Sequence, residues 1–187
     1  MYARALRSLD DESRVLSVLK EGALRTDDAA PILRDSVISH LRLGHPRAAE
    51  EVMEHFKDDQ GGWKHLSWAY IHADQHDWDA MTSALDESME RAEMIDRSDF
   101  QITTGILTAW APGGREAAVE LLQRGVGTKE DLLGRGMLAH LIFETSPEDA
   151  EAHLTKARAL WTASEKRFGE FMSGMGWRKG EGTWEIE

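Results

Sequence analysis

The chain has 187 residues, 41% of them hydrophobic, with 34 acidic side chains against 22 basic ones for a formal net charge of -12, and no cysteine. That length suits one domain with a sizeable core, and the missing cysteine excludes disulfides, thiolate zinc sites and a cysteine nucleophile. So negative a surface repels nucleic-acid phosphates and anionic lipid, and it favours basic peptides or basic protein faces as partners.

The opening "MYARALRSLDDESRVLSVLKEG" scatters charge through its apolar positions and lacks the unbroken apolar core of a secretion signal. No segment reaches the roughly 20 apolar residues of a membrane-spanning helix. A soluble, cytoplasmic protein is expected, with no membrane contact.

Helix formers dominate from there on. Val15, Leu16, Val18 and Leu19 form one helical stripe, with Gly22 as a stop. Thr26 or Asp27 is expected to cap a second helix, in which Pro31 sits in the first turn and Ile32, Leu33, Val37, Ile38 and Leu41 face the core. Gly44 ends it. Pro46 restarts the chain, since a proline at the first helical position lacks only an N–H that would go unbonded anyway. Ala49, Val52, Met53 and Phe56 then point inward.

The pattern returns downstream. After Gly61-Gly62, one helix carries Trp63, Leu66, Trp68 and Tyr70, and the turn "DQHD" leads into a second with Trp78, Met81, Ala84, Leu85, Met89 and Ala92. Ser98 or Asp99 is the expected cap of "FQITTGILTAW". Pro112-Gly113-Gly114 breaks that helix, and "REAAVELLQRG" resumes with Ala118, Leu121 and Leu122. Thr128 with an acid three residues later reads as a capping box for "DLLGRGMLAHLIFE". Ser146, Pro147 and Asp149 open the longest helix, expected to run to about Gly174.

Turns therefore fall at Gly44, Gln75, Gly113 and Ser146, each followed by a small residue: Ala49, Ala80, Ala118, and Ala150 or Ala152. A spacing in the thirties is the length of a two-helix solenoid unit, and the small residues let helices approach closely. The predicted fold is all-α, a right-handed α–α superhelix of antiparallel helical hairpins. It forms one helical-repeat domain over residues 1–176, with 177–187 as a terminal cap or flexible tail.

Over about residues 27–165 these positions resemble the tetratricopeptide repeat. Gly44, Ala49, Met53 and Phe56 match the turn and second helix of a unit. Trp63, Leu66 and Tyr70 resemble the aromatic and apolar positions of a first helix, one residue early when counted back from Ala80. The third unit lacks the aromatic pattern, and the closing prolines are missing. The resemblance implies partner binding on the concave face by the first helices. In register, that points to Arg34, Ile38 and Leu41, then His65 and His72, then Thr103 and Trp110, and finally Arg135 and His140.

Chemical motifs are sparse. His65, His72 and His76 could share a face on one continuous helix, but a turn at Asp74–Gln75 interrupts it, and no zinc-protease spacing is present. His40, His45 and His55 are separated by the Gly44 turn. "APGGREAA" and "GVGTKE" lack the phosphate-loop spacing. With 34 acids, no catalytic carboxylate pair stands out. No catalytic, cofactor-binding or metal-ligating residue is assigned, and no cofactor is expected. The reading is a non-catalytic protein–protein or protein–peptide interaction module, a scaffold or adaptor, with no direct nucleic-acid binding. The alternatives are an acidic inhibitor or nucleic-acid mimic docking on a basic protein surface, and an enzyme whose pocket leaves no sequence signature.

Overall fold

The computed structural model describes residues 12–26, 29–57, 61–93, 97–174, 177–179 and 184–186. Within them lie α1 (Glu12–Ala23), α2 (Ala30–Arg42), α3 (Pro46–Val52, prolonged by a 3-10 turn Met53–His55), α4 (Gly61–Asp74) and α5 (Trp78–Glu90). They are followed by α6 (Arg97–Thr108), α7 (Arg115–Thr128), α8 (Leu132–Ile142) and α9 (Pro147–Gly174). A short antiparallel pair, β1 (Trp177–Lys179) with β2 (Trp184–Ile186), follows the last helix. The expected cap at the end of the chain depends on side chains outside the described residues. No helix among the described residues is long and apolar enough to cross a membrane.

Consecutive helices pair as hairpins: α2 with α3, α4 with α5, α6 with α7, and α8 with α9, while α1 packs on α2. Between hairpins, first helices touch first helices, α2 on α4, α4 on α6 and α6 on α8. Crowding one layer and splaying the other bends the stack, so the first helices line its inner, concave side. The chain is an all-α superhelix of helical hairpins.

Local chemistry explains the hairpins. Pro31 and Pro46 both sit in the first turn of their helices, α2 and α3. The turns need left-handed backbone, supplied by Gly44 (φ 70°), His76 (φ 57°) and Gly113 (φ 74°). Asp77 caps α5 by accepting the Ala80 N–H at 3.1 Å. The fourth residue of each second helix is buried, and it is Ala49, Met81, Ala118 and Ala150 in turn. Sequence spacing assigned that role to Ala80 in the second unit, but Asp77 sets the helix start so that Met81 takes it. Ala49, Met81 and Ala150 share apolar clusters with Val37, Ala69 and Leu138 of the first helices, and Ala118 lies against Gly105. At Gly105 the helices approach closely, because a Cβ there would meet Leu122 Cγ at 2.7 Å and the Ala118 carbonyl at 3.2 Å.

Apolar clusters fill the layers between helices. One joins Leu33, Val37, Ala49, Met53, Phe56 and Ile71. A second gathers Leu66, Met81, Leu85, Phe100 and Leu107, and a third holds Ile102, Leu122, Val126, Leu138 and Ala150.

Several expected helix ends move. Ala29, rather than Thr26, is the N-cap of α2 and makes no side-chain cap, while Asp27 lies outside the described residues. Helix α1 passes Gly22 and ends at Ala23. Ser98 and Asp99 lie inside the first turn of α6 rather than capping it. Thr128 closes α7 with its hydroxyl donating to the Arg124 carbonyl, and Asp131 is the cap of α8, accepting the Gly134 N–H at 2.7 Å. The acid of the expected capping box is itself the cap, because α7 runs on through Thr128.

Candidate functional site

The inner layer holds a connected row of polar and aromatic side chains across three first helices. Arg34 of α2 lies with its guanidinium 4.9 Å from the centre of the Trp63 ring of α4, a cation–π contact. The same guanidinium pairs with Asp35 at 2.8 Å. Trp63 packs against Phe100 of α6, ring centres 4.6 Å apart. Tyr70 of α4 lies within electrostatic reach of Arg34 and Asp35 of α2 and close to the Thr103 side chain of α6. Burial pushes the Tyr70 phenol above its ordinary pKa, with Arg34 pulling the other way.

Farther along, a cavity of about 610 Å³ opens where the third hairpin meets the fourth. Its lining includes Ala109, Ala111, Gly136, Ala139, His140 and Phe143. Arg115 braces it from α7, donating to the Leu141 carbonyl at 2.5 and 2.9 Å and to Glu144 at 3.1 Å. Trp110, between two lining alanines, is 53% exposed. A second cavity of about 680 Å³ lies among α1, α2 and α3, lined in part by Leu16, Leu24, Leu33, His40, Val52 and His55. There the His40 Nδ1 is buried without a hydrogen-bond partner, and burial, reinforced by His45, lowers its pKa.

The residues singled out from sequence part company. Arg34, Ile38 and Leu41 stand together on α2, each half-buried. His65 instead turns to its own hairpin partner, its Nδ1 3.2 Å from Glu87 of α5. His72 stacks on Trp68, ring centres 5.6 Å apart, with its Nδ1 buried and unpartnered. His76, in the turn, packs against Trp78. The three histidines thus have three different neighbours. Thr103 joins the row through Tyr70, and His140 lines the cavity between units three and four, whereas Trp110 is exposed and is not part of that lining.

Arg135 is 5% exposed and committed internally. It donates to Glu130 at 2.6 and 2.7 Å, to the Val126 carbonyl at 3.2 Å, and contacts His153 Nδ1 at 3.1 Å. It ties α7, α8 and α9 together.

Trp63 and Tyr70 were the residues missed. Counting from Ala80 put Arg34 and Leu41 in register with His65 and His72. Counting from Met81 aligns Ile38 with Tyr70. One residue is about 100° around a helix, enough to swap the inner face for the flank. The aromatic pair was visible in the sequence, but its one-residue lead on the Ala80 register becomes two residues when the count starts from Met81, so the repeat register did not single it out.

The chain matches no protein-family model and no curated protein by sequence. In structure it is similar to MamA, with a TM-score of 0.55 at 14% identity, covering 88% of this chain and 96% of that one. A double mutant of MamA RS-1 gives a TM-score of 0.55 at 15% identity, covering 88% and 93%. The C-terminal part of a TPR repeat-containing protein from Cytophaga hutchinsonii gives 0.51 at 12% identity, covering 85% of this chain and 63% of that one. These likenesses establish a shared tetratricopeptide-like helical-repeat fold.

Proposed function

We propose that the chain is a protein-interaction module that holds a peptide segment of a cytoplasmic partner along its inner layer, without catalysis. One observation carries this reading: the first helices form a continuous inner layer on which Arg34, Trp63, Tyr70 and Thr103 connect three units, with an open cavity beyond them. Partly buried aromatic and arginine side chains make effective anchors, since they combine large contact area with directed polar groups. Arg135 belongs to the scaffold beneath this surface, whereas Ile38, Thr103, Trp110 and His140 belong to the proposed surface itself. The net charge of -12 favours a partner segment with basic residues by raising its rate of encounter.

Random-peptide display on the immobilised full chain tests the proposal, with counter-selection on Ile38→Glu and Thr103→Glu variants. Selected peptides should bind the native chain and lose about tenfold or more in affinity on either variant. Their binding should weaken with salt without vanishing. Peptides that bind both variants as tightly as the native chain would overturn the inner-layer site. Binding abolished by salt alone would favour a purely electrostatic acidic surface instead.

A further inference from the structure

The cavity of about 610 Å³ between the third and fourth hairpins has in its wall a helical glycine that meets no neighbour. Gly105 of α6, Gly125 of α7 and Gly134 of α8 are glycines for a packing reason, since a Cβ on each would meet a side chain of a neighbouring helix at 2.6–2.9 Å. Gly127 and Gly136 would meet nothing within 4 Å. Gly127 falls in the last turn of α7, where helix ends fray. Gly136 sits in the middle of α8, where glycine weakens a helix relative to alanine. What it supplies there is room.

The walls around that room are apolar and mostly small. Gly136, His140 and Phe143 follow at i, i+4 and i+7, which puts them on one face of α8, and all three line the cavity. Ala109, Ala111 and the buried Ala139 line it with them. Phe143 is 60% exposed, so a large ring borders the space with more than half of its surface open. Pockets that take ligands measure about 300–1,000 Å³ and have this kind of lining, apolar with a few polar groups.

Charge and position select the occupant. Arg115 and Glu144 are the formally charged residues of the lining, and they pair with each other at 3.1 Å. Arg115 also donates to the Leu141 carbonyl through Nε and Nη2. The lining therefore presents no net charge, and a charged group entering it would lose water without gaining a partner. An uncharged, apolar group matches it. Thr103 of the inner row and Ala109 of the cavity are six residues apart, about 9 Å along the axis of α6. An extended peptide spans that distance with about three residues at roughly 3.3 Å each.

We propose that this cavity holds one bulky, uncharged apolar side chain of the partner peptide, of the leucine, methionine or phenylalanine class. The assignment rests on the reading of the inner layer as a peptide-binding surface and names the anchor of that peptide. Basic residues elsewhere in the peptide answer the chain's net charge of -12, whereas the anchor is selected by shape and by the loss of its contact with water.

Peptides selected by random display on the immobilised full chain test this with Gly136→Leu, which fills the cavity from a position where a Cβ meets nothing. They should bind Gly136→Ala as they bind the native chain and lose about tenfold or more in affinity on Gly136→Leu. Replacing their shared bulky apolar residue with alanine should cost a similar factor on the native chain and little more on Gly136→Leu. Phe143→Ser removes a wall instead of adding bulk. It should weaken the same peptides, and it decides the matter if Gly136→Leu fails to fold by far-UV circular dichroism. Peptides that lose affinity on Ile38→Glu and Thr103→Glu but bind Gly136→Leu and Phe143→Ser at full strength would overturn the anchor and leave the inner-layer reading standing. Peptides indifferent to all four substitutions, or no selected peptide at all, would overturn both. A shared anchor that is charged would also overturn the proposal. So would self-association of the native chain in sedimentation equilibrium that Gly136→Leu abolishes, since it would place a second copy in the cavity.

Discussion

The guanidinium of Arg135 lies 3.1 Å from His153 Nδ1 and joins α8 to α9 beneath the protein surface. The ring must accept at Nδ1 for this contact to hold, which makes the neutral tautomer protonated at Nε2 the bonded form. A cation beside a cation would repel, so the contact ties the last hairpin to the protonation state of one histidine.

Acidification should therefore loosen the fold in a defined window. Burial lowers the His153 pKa from 6.5, and the nearby Arg135 and Lys156 lower it further, against the opposing pull of Asp149 and Glu130. Burial also lowers His40 and His65. A histidine whose folded pKa is depressed binds its proton first in the unfolded chain. Its stabilising contribution is complete above about pH 6.5 and is lost as pH falls toward the folded value. Between pH 7.5 and 5.5 the urea midpoint should fall for the native chain and fall less for His153→Gln, whose amide oxygen can still accept from Arg135. An equal fall in both would remove His153 from the account.

Arg135 itself should be costly to lose. Its side chain bonds Glu130, the Val126 carbonyl and His153 from a buried position. Arg135→Ala should destabilise the chain by about 2–3 kcal/mol, from unpaired buried groups and lost packing. Arg135→Lys should recover little, because an ammonium cannot reproduce the planar fork to Glu130 while reaching Val126. Urea denaturation of the three proteins gives the comparison.

Two helical glycines should respond to alanine with opposite signs. At Gly105 a Cβ collides with Leu122 and the Ala118 carbonyl, so the gain in helix propensity is outweighed and Gly105→Ala should cost about 1–3 kcal/mol. At Gly136 a Cβ would meet nothing within 4 Å, and Gly136→Ala should stabilise by about 0.5–1 kcal/mol. Thermal melts of the pair test whether the third hairpin closes on a glycine contact.

His76 holds a left-handed turn where the first and third hairpins use glycine. That conformation costs a non-glycine residue roughly 1 kcal/mol. His76→Gly should therefore leave the midpoint unchanged or raise it by up to about 1 kcal/mol, the extra freedom of glycine in the unfolded chain opposing the relief. Gly44→Ala should lower it, by differential scanning calorimetry. A clear loss on His76→Gly would mean that the ring's contact with Trp78 outweighs the strain.

The hairpin architecture was legible in the sequence, because it depends on local chemistry. Pro46 at a helix start, Gly44 and Gly113 in turns, and the apolar stripes of α2 through α9 are set by backbone sterics and a 3.6-residue period. Neither requires knowledge of distant contacts. The inner row across α2, α4 and α6 was decided by tertiary structure. Which residue of α4 meets α2 depends on where α5 begins, and that depends on Asp77 capping its end, one residue away from the origin suggested by Ala80. A rotation of about 100° follows from that single step, and it exchanges His65 and His72 for the buried Leu66 and Ala73 as counterparts of Arg34 and Leu41, while Ile38 comes opposite Tyr70. The burial of Arg135 was likewise out of reach of local sequence, since its partners Val126 and His153 come from two other helices. Periodicity alone determines that helices form and roughly where they turn. Which faces they present to each other is settled only when the layers pack.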